Sequence, residues 1–148
     1  MAVHVDVNLE ALPPGLDAGD VEALLGRAVH AVHADAGRAD GTVSLTLLDD
    51  RAITALNGQY LDAEGPTDVI AFTLNEADGA PLGDIYIGAD QAARQAEAHG
   101  VPLREELVRL AVHGTLHVLG HDHPAGPERE TSEMWALQER LVGEIGDR

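Results

Sequence analysis

Val3, Val5, Val7 and Leu9 alternate with His4, Asp6 and Asn8. A period of two turns one face of a strand to a core and the other to water, so the pattern predicts a half-buried strand over 3–9. Pro13-Pro14-Gly15 closes it with a loop. From 21 to about 36 the period lengthens. Leu24, Leu25, Ala28, Val29 and Val32 gather on one side of a helix capped by Asp20 and stopped by Gly37. Val43, Leu45 and Leu47 alternate with Ser44 and Thr46 as a second strand. Asp49 or Asp50 caps the next helix, which turns Ile53 and Leu56 inward and ends near Tyr60. Positions 69–74 and 82–88 read as two strands around an Asp78-Gly79 turn, and so as a hairpin. An alanine-rich helix follows over 89–99, then a helix opened by Pro102 in its first turn, then a last helix from near Pro127 to about Gly143 carrying Met134, Leu137, Leu141 and Val142 inward. Strand, helix, strand, helix, two strands and three helices predict a single α+β domain over 1–148, with a mixed sheet of about four strands covered by about five helices.

One of those helices carries the chemistry. Between positions 110 and 120 there is no Asp, Glu, Lys or Arg, and an uncharged helical stretch is a buried one. Inside it His113 and His117 are four apart, on one face and one turn from each other. Gly120 can leave the helix in a left-handed turn because it lacks a Cβ. That turn brings His123 back toward the first two. Three imidazoles meeting at one point are the protein half of an open tetrahedral zinc site, so His113, His117 and His123 are read as ligands of one Zn²⁺ per chain.

The other histidines read more plainly. His4 falls on the solvated side of its strand, and His121, beside Gly120, points away from the three ligands. His30 and His33 have no third partner near them in sequence. His99 ends a helix, where a cation suits the dipole. Asp84, between apolar neighbours in mid-strand, needs a partner if buried, either beside the site or on an arginine. Trp135 reads as packing.

The spacing of the three histidines around Gly120 also matches the zinc peptidases called metzincins, except that their general-base glutamate after the first histidine is here Gly114. That disfavours peptide hydrolysis. The whole stretch from His113 to His123 resembles the H-G-x-L-H-L-x-G-x-D-H signature of the YbeY proteins, bacterial metal-dependent endoribonucleases of ribosomal RNA maturation. Pro66-Thr67-Asp68-Val69-Ile70-Ala71-Phe72 is similar to that family's P-T-D-V-L-S-F block, and Leu82-Gly83-Asp84-Ile85-Tyr86-Ile87 to its L-G-D-I-x-I strand. Glu133-Met134-Trp135 and Gln138-Glu139 are similar to its last helix. The blocks run in the family's order over roughly 45 to 142. The resemblance implies the same α+β fold and a catalytic centre acting through the metal on His113, His117 and His123, with no separate general base assigned. The resemblance departs at Leu61, where the family carries an arginine after N-x-x-Y that is expected near the metal.

Composition then narrows the setting. The 148 residues are enough for one proper core. With no cysteine, neither a disulfide nor a thiolate metal site is possible. No stretch is long and apolar enough to span a membrane, so a soluble, cytoplasmic protein is expected. The net charge of −17 rests on nine basic residues, all arginine. Such a chain is repelled by RNA at long range unless its few arginines cluster near the metal; the acidity can instead answer to solubility or to a basic partner such as a ribosomal protein. The reading is therefore a zinc-dependent single-strand endoribonuclease acting in ribosomal RNA maturation and ribosome quality control. Its partners are ribosomal RNA and the small ribosomal subunit or a basic ribosomal protein. The alternative is a ribosome-associated factor with a structural metal and weak or no nuclease activity.

Overall fold

A computed structural model describes residues 2–75, 81–121 and 132–146. Its elements follow the predicted order: β1 (Val3–Leu9), α1 (Ala18–Asp35), β2 (Gly41–Leu48), α2 (Asp50–Leu61), β3 (Val69–Asn75), β4 (Pro81–Gly88), α3 (Ala89–His99), α4 (Leu103–Val118) and α5 (Glu133–Gly146). The Asp78-Gly79 turn, Asp122, His123 and the segment around Pro127 lie outside the described residues.

The four strands form one mixed sheet in the order β1-β2-β4-β3. β1, β2 and β4 are parallel, and β3 closes the edge antiparallel to β4, with Phe72 opposite Asp84. A parallel neighbour needs a crossover connection, and α1 supplies it between β1 and β2. The inner side of the sheet carries the main core. Val43, Leu45, Leu47, Ile85 and Ile87 pack there with Leu25 and Val29 of α1, Leu107, Ala111 and Leu116 of α4, and Leu141 of α5. A smaller cluster on the outer side joins Leu48, Ile53 and Ile70 with Leu56, Phe72 and Tyr86, and holds α2 against the sheet. β1 alternates as its sequence requires, with His4, Asp6 and Asn8 exposed.

Some boundaries move. The cap of α1 is Asp17, whose carboxylate accepts from the Asp20 amide at 3.0 Å; Asp20 lies inside the first turn. At α2, Asp49 is the cap, accepting from the Ala52 amide at 2.8 Å, while Asp50 pairs with Arg94 of α3. Pro102 stands at the N-cap of α4 rather than in its first turn. Ser132 precedes α5, its hydroxyl accepting from the Trp135 amide, and α5 continues past Gly143 to Gly146.

Two glycines seat α4 on the sheet. A Cβ on Gly114 would meet the Ile85 Cγ2 at 2.8 Å, and one on Gly83 would run into Val118. Backbone of helix and strand therefore come together where any side chain would hold them apart.

Candidate metal centre

α4 is buried along almost its whole length, and its last two turns carry the histidines inward. His113 is 6% exposed and His117 half-buried. Their Nε2 atoms face each other at 3.1 Å, with the rings nearly perpendicular at 72°. Two zinc–nitrogen bonds of about 2.0–2.1 Å at a tetrahedral angle set their nitrogens roughly 3.3–3.4 Å apart. The pair thus fits one small divalent ion between them.

The chain then turns as its glycine allows. Gly120 has φ +97°, in the left-handed region. Its amide donates to the His117 carbonyl at 3.0 Å, and the His121 amide donates to the Leu116 carbonyl at 2.9 Å. This double closure ends the helix at Val118, with Leu119 as its cap, and redirects the backbone. Among the described residues no group of three metal-binding side chains forms. His113 and His117 are two of the three expected ligands, and His123, the third, lies outside the described residues.

Polar groups from α3, α4 and α5 stand behind His113. Its Nδ1 lies 2.6 Å from Gln138 Oε1 of α5. Gln138 Nε2 donates to Glu139 Oε2 at 3.0 Å. Arg109 of α4 grips both oxygens of Glu139 at 2.9 Å and donates to Glu106 at 2.9 Å and Glu105 at 3.3 Å. Glu106, 2% exposed, also accepts from Gln95 of α3 at 2.7 Å. Burial pushes the Glu139 carboxyl up, but hydrogen bonds from Arg109 and Gln138 outweigh it and hold the group below the usual carboxylate range. The same bond to Glu139, helped by Glu106, raises Arg109.

A cavity of about 290 Å³ opens beside His113, with Asp68, Gln95, His99, Arg109 and Trp135 on its walls. Asp68 does double duty. Its side chain accepts from the Val69 amide and its carbonyl from the Gly88 amide, fixing the start of β3. Arg109 is the arginine on this wall, and its guanidinium is already engaged by three carboxylates.

Other candidates stand elsewhere. Gly83 and Ile85 face α4, so Asp84 faces the opposite side of the sheet, half-buried and away from the histidines. That removes it as a supporting group for them. Leu61 is exposed at the end of α2, next to Tyr60, whose ring packs edge-on against Phe72 on that outer side. Asn57 is buried and donates to the Gly65 carbonyl at 3.1 Å, which ties down the α2–β3 connection. His30 is exposed while His33 is fully buried, so they share no site.

The Endoribonuclease YbeY family model matches residues 15–146. The chain belongs to the YbeY family. An Endoribonuclease YbeY of Desulfitobacterium hafniense is 37% identical, over 97% of this chain and 98% of its own length. The YbeY of Bacillus licheniformis is 42% identical over 76% of this chain and 78% of its own. The solution structure of TM1509 from Thermotoga maritima superposes with a TM-score of 0.65 at 25% identity, covering 98% of this chain and 89% of that one. Gln138, Glu139 and Arg109 escaped the sequence reading as a set serving His113. The available signal was a polar residue on an apolar stripe: Gln138 follows Met134 by four and precedes Val142 by four on the buried face of α5.

Proposed function

We propose that the chain is a zinc-dependent single-strand endoribonuclease acting in ribosomal RNA maturation and ribosome quality control in the cytoplasm. Membership of an endoribonuclease family supports RNA as the substrate. The observation that carries the metal reading is the 3.1 Å approach of the His113 and His117 Nε2 atoms, followed by the left-handed turn at Gly120. His113, His117 and His123 would hold the ion. When bound, it supplies Lewis-acid polarisation of a phosphoryl oxygen and a water of lowered pKa. The chain's own part is to orient. Gln138 sets the plane of the His113 ring. The buried upper turns of α4 keep bulk water off its inner side. Asp68, Gln95 and Trp135 offer the walls against which a nucleotide lies.

The reading is tested by metal content and cleavage together. The purified protein should carry about one zinc per chain and cut single-stranded RNA. Alanine at His113, His117 or His123 should remove both, and alanine at His4, His30 or His121 neither. Full zinc retention in His117→Ala sinks the site. A second reading, a ribosome-associated factor with a structural metal, is favoured by two observations: Leu61 is exposed and apolar, and Arg109 is consumed by Glu105, Glu106 and Glu139. Capture by small ribosomal subunits or a basic ribosomal protein, with no cleavage of any RNA, decides for it.

A further inference from the structure

The groups behind His113 have a direction. Glu139 is an acceptor only, whereas the Gln138 amide has a donor end and an acceptor end. Glu139 Oε2 stands 3.0 Å from one end of that amide and His113 Nδ1 stands 2.6 Å from the other. The carboxylate therefore draws the NH₂ group to itself and leaves the carbonyl facing His113. Turning the amide over would set Oε1 against a carboxylate and place NH₂ against the ring. Arg109 holds Glu139 by both oxygens, so the carboxylate cannot swing away to relieve the choice. A carbonyl facing Nδ1 demands a proton there, and a neutral imidazole has one ring proton. Nε2 is left with its lone pair, aimed at His117 Nε2 at 3.1 Å.

We propose that Glu139 and Gln138 are positioning residues that fix His113 as its Nδ1–H tautomer, so that Nε2 is ready to take a divalent cation. The proposal rests on the metal reading above. It also explains why an amide occupies that position. Gln138 is 2% exposed, on the buried face of α5 with Met134 and Leu141, where leucine would pack as well. Ligand histidines commonly lean on a carboxylate. Here the carboxylate acts one residue further off, through an amide, with Arg109 balancing its charge.

The experiment has two arms. Nitrogen-detected ring spectra of the metal-free, ¹⁵N-labelled protein report the tautomer of His113 directly. Competition with a chromophoric chelator reports zinc affinity. The wild-type protein should show His113 protonated at Nδ1. Gln138→Leu should move it toward the Nε2–H form and weaken zinc binding about tenfold to a hundredfold. Glu139→Ala, a half-exposed position less disruptive to folding, should give a mixture of tautomers and a smaller loss. Retention of the Nδ1–H form with unchanged zinc affinity in both variants overturns the proposal. Failure of the metal reading looks different. The wild type then takes up no zinc, or His117→Ala takes it up as well as the wild type, and the proposal falls with it whatever the spectra show.

Discussion

Among the described residues, His33 is tied to Val29 at one ring nitrogen only: Nδ1 donates to the Val29 carbonyl at 2.9 Å, and Nε2 is buried with no partner. Gly41 makes this possible, since a Cβ there would lie 2.9 Å from Nε2. Burial lowers the pKa of His33 from its ordinary 6.5, against the opposing pull of the Val29 carbonyl; His30 and Arg38 lower it further. Above about 6.5 the ring is neutral folded or unfolded, and His33 adds no pH dependence. Below that value the unfolded chain takes up a proton that the folded chain refuses. Stability should therefore fall as pH drops from 6.5 toward the depressed folded value, by up to about 1.4 kcal/mol per pH unit for this one proton. Urea unfolding at pH 7.5, 6.5 and 5.5 measures it, and His33→Leu should flatten the wild-type slope over that range. Equal slopes in the two proteins exclude His33 as the source.

Gly114→Ala should destabilise the protein by about 1–3 kcal/mol, because the added methyl meets Ile85 inside contact distance with little room to shift. A double variant with Ile85→Ala should recover part of the loss, giving a non-additive cycle in urea unfolding. Gly114→Glu should produce no peptidase activity. The position faces β4 rather than the two histidine nitrogens, so the metzincin base cannot be restored there.

Leu61→Arg should raise cleavage of single-stranded RNA no more than a few-fold, because the position is exposed on the outer side of the sheet, where water and salt screen a guanidinium's pull on phosphate. The position is exposed, so the stability change should stay within about 0.5 kcal/mol. Leu61→Met is the control for bulk. Equal cleavage by the arginine variant and the wild type means that position 61 does not meet the scissile phosphate.

Binding to naked RNA should depend only shallowly on salt, with a slope on the order of one to three in log affinity against log salt. The reason is the scarcity of cations, nine arginines against 26 Asp and Glu residues. Arg94, Arg109 and Arg140 are all paired with carboxylates, within a chain of net charge −17. A salt titration by fluorescence anisotropy measures it. A steep slope would reveal a basic surface that these pairings do not suggest.

Much of this was legible in the sequence, for identifiable reasons. β1 and α3 keep the limits their periodicity drew, because each ends at a clear break: Leu9 before the proline loop, His99 before a left-handed Gly100. The order of the nine elements among the described residues followed from similar signals. The cap of α1 was misplaced because Asp17 and Asp20 are chemically equivalent, and only the extended backbone at Asp17 decides between them. His113, His117 and the Gly120 turn could be read because helical spacing and a missing Cβ are local facts. The support of His113 could not, since Gln138 lies 25 residues away on another helix. Asp84 misled for a related reason: alternation says that it opposes its neighbours, but not which side of the sheet holds the histidines.

The seating of α4 on β4 has a mechanical consequence. With Gly83 against Val118 and Gly114 against Ile85, the helix bears on the strand at two points a turn apart and can neither roll nor slide without collision. Its two imidazoles are then carried on a fixed bench, and their separation is set before any ion arrives. Uptake of the ion should leave α4 where it stands, and any adjustment to a bulky substrate must be made by the elements around this helix rather than by the helix itself.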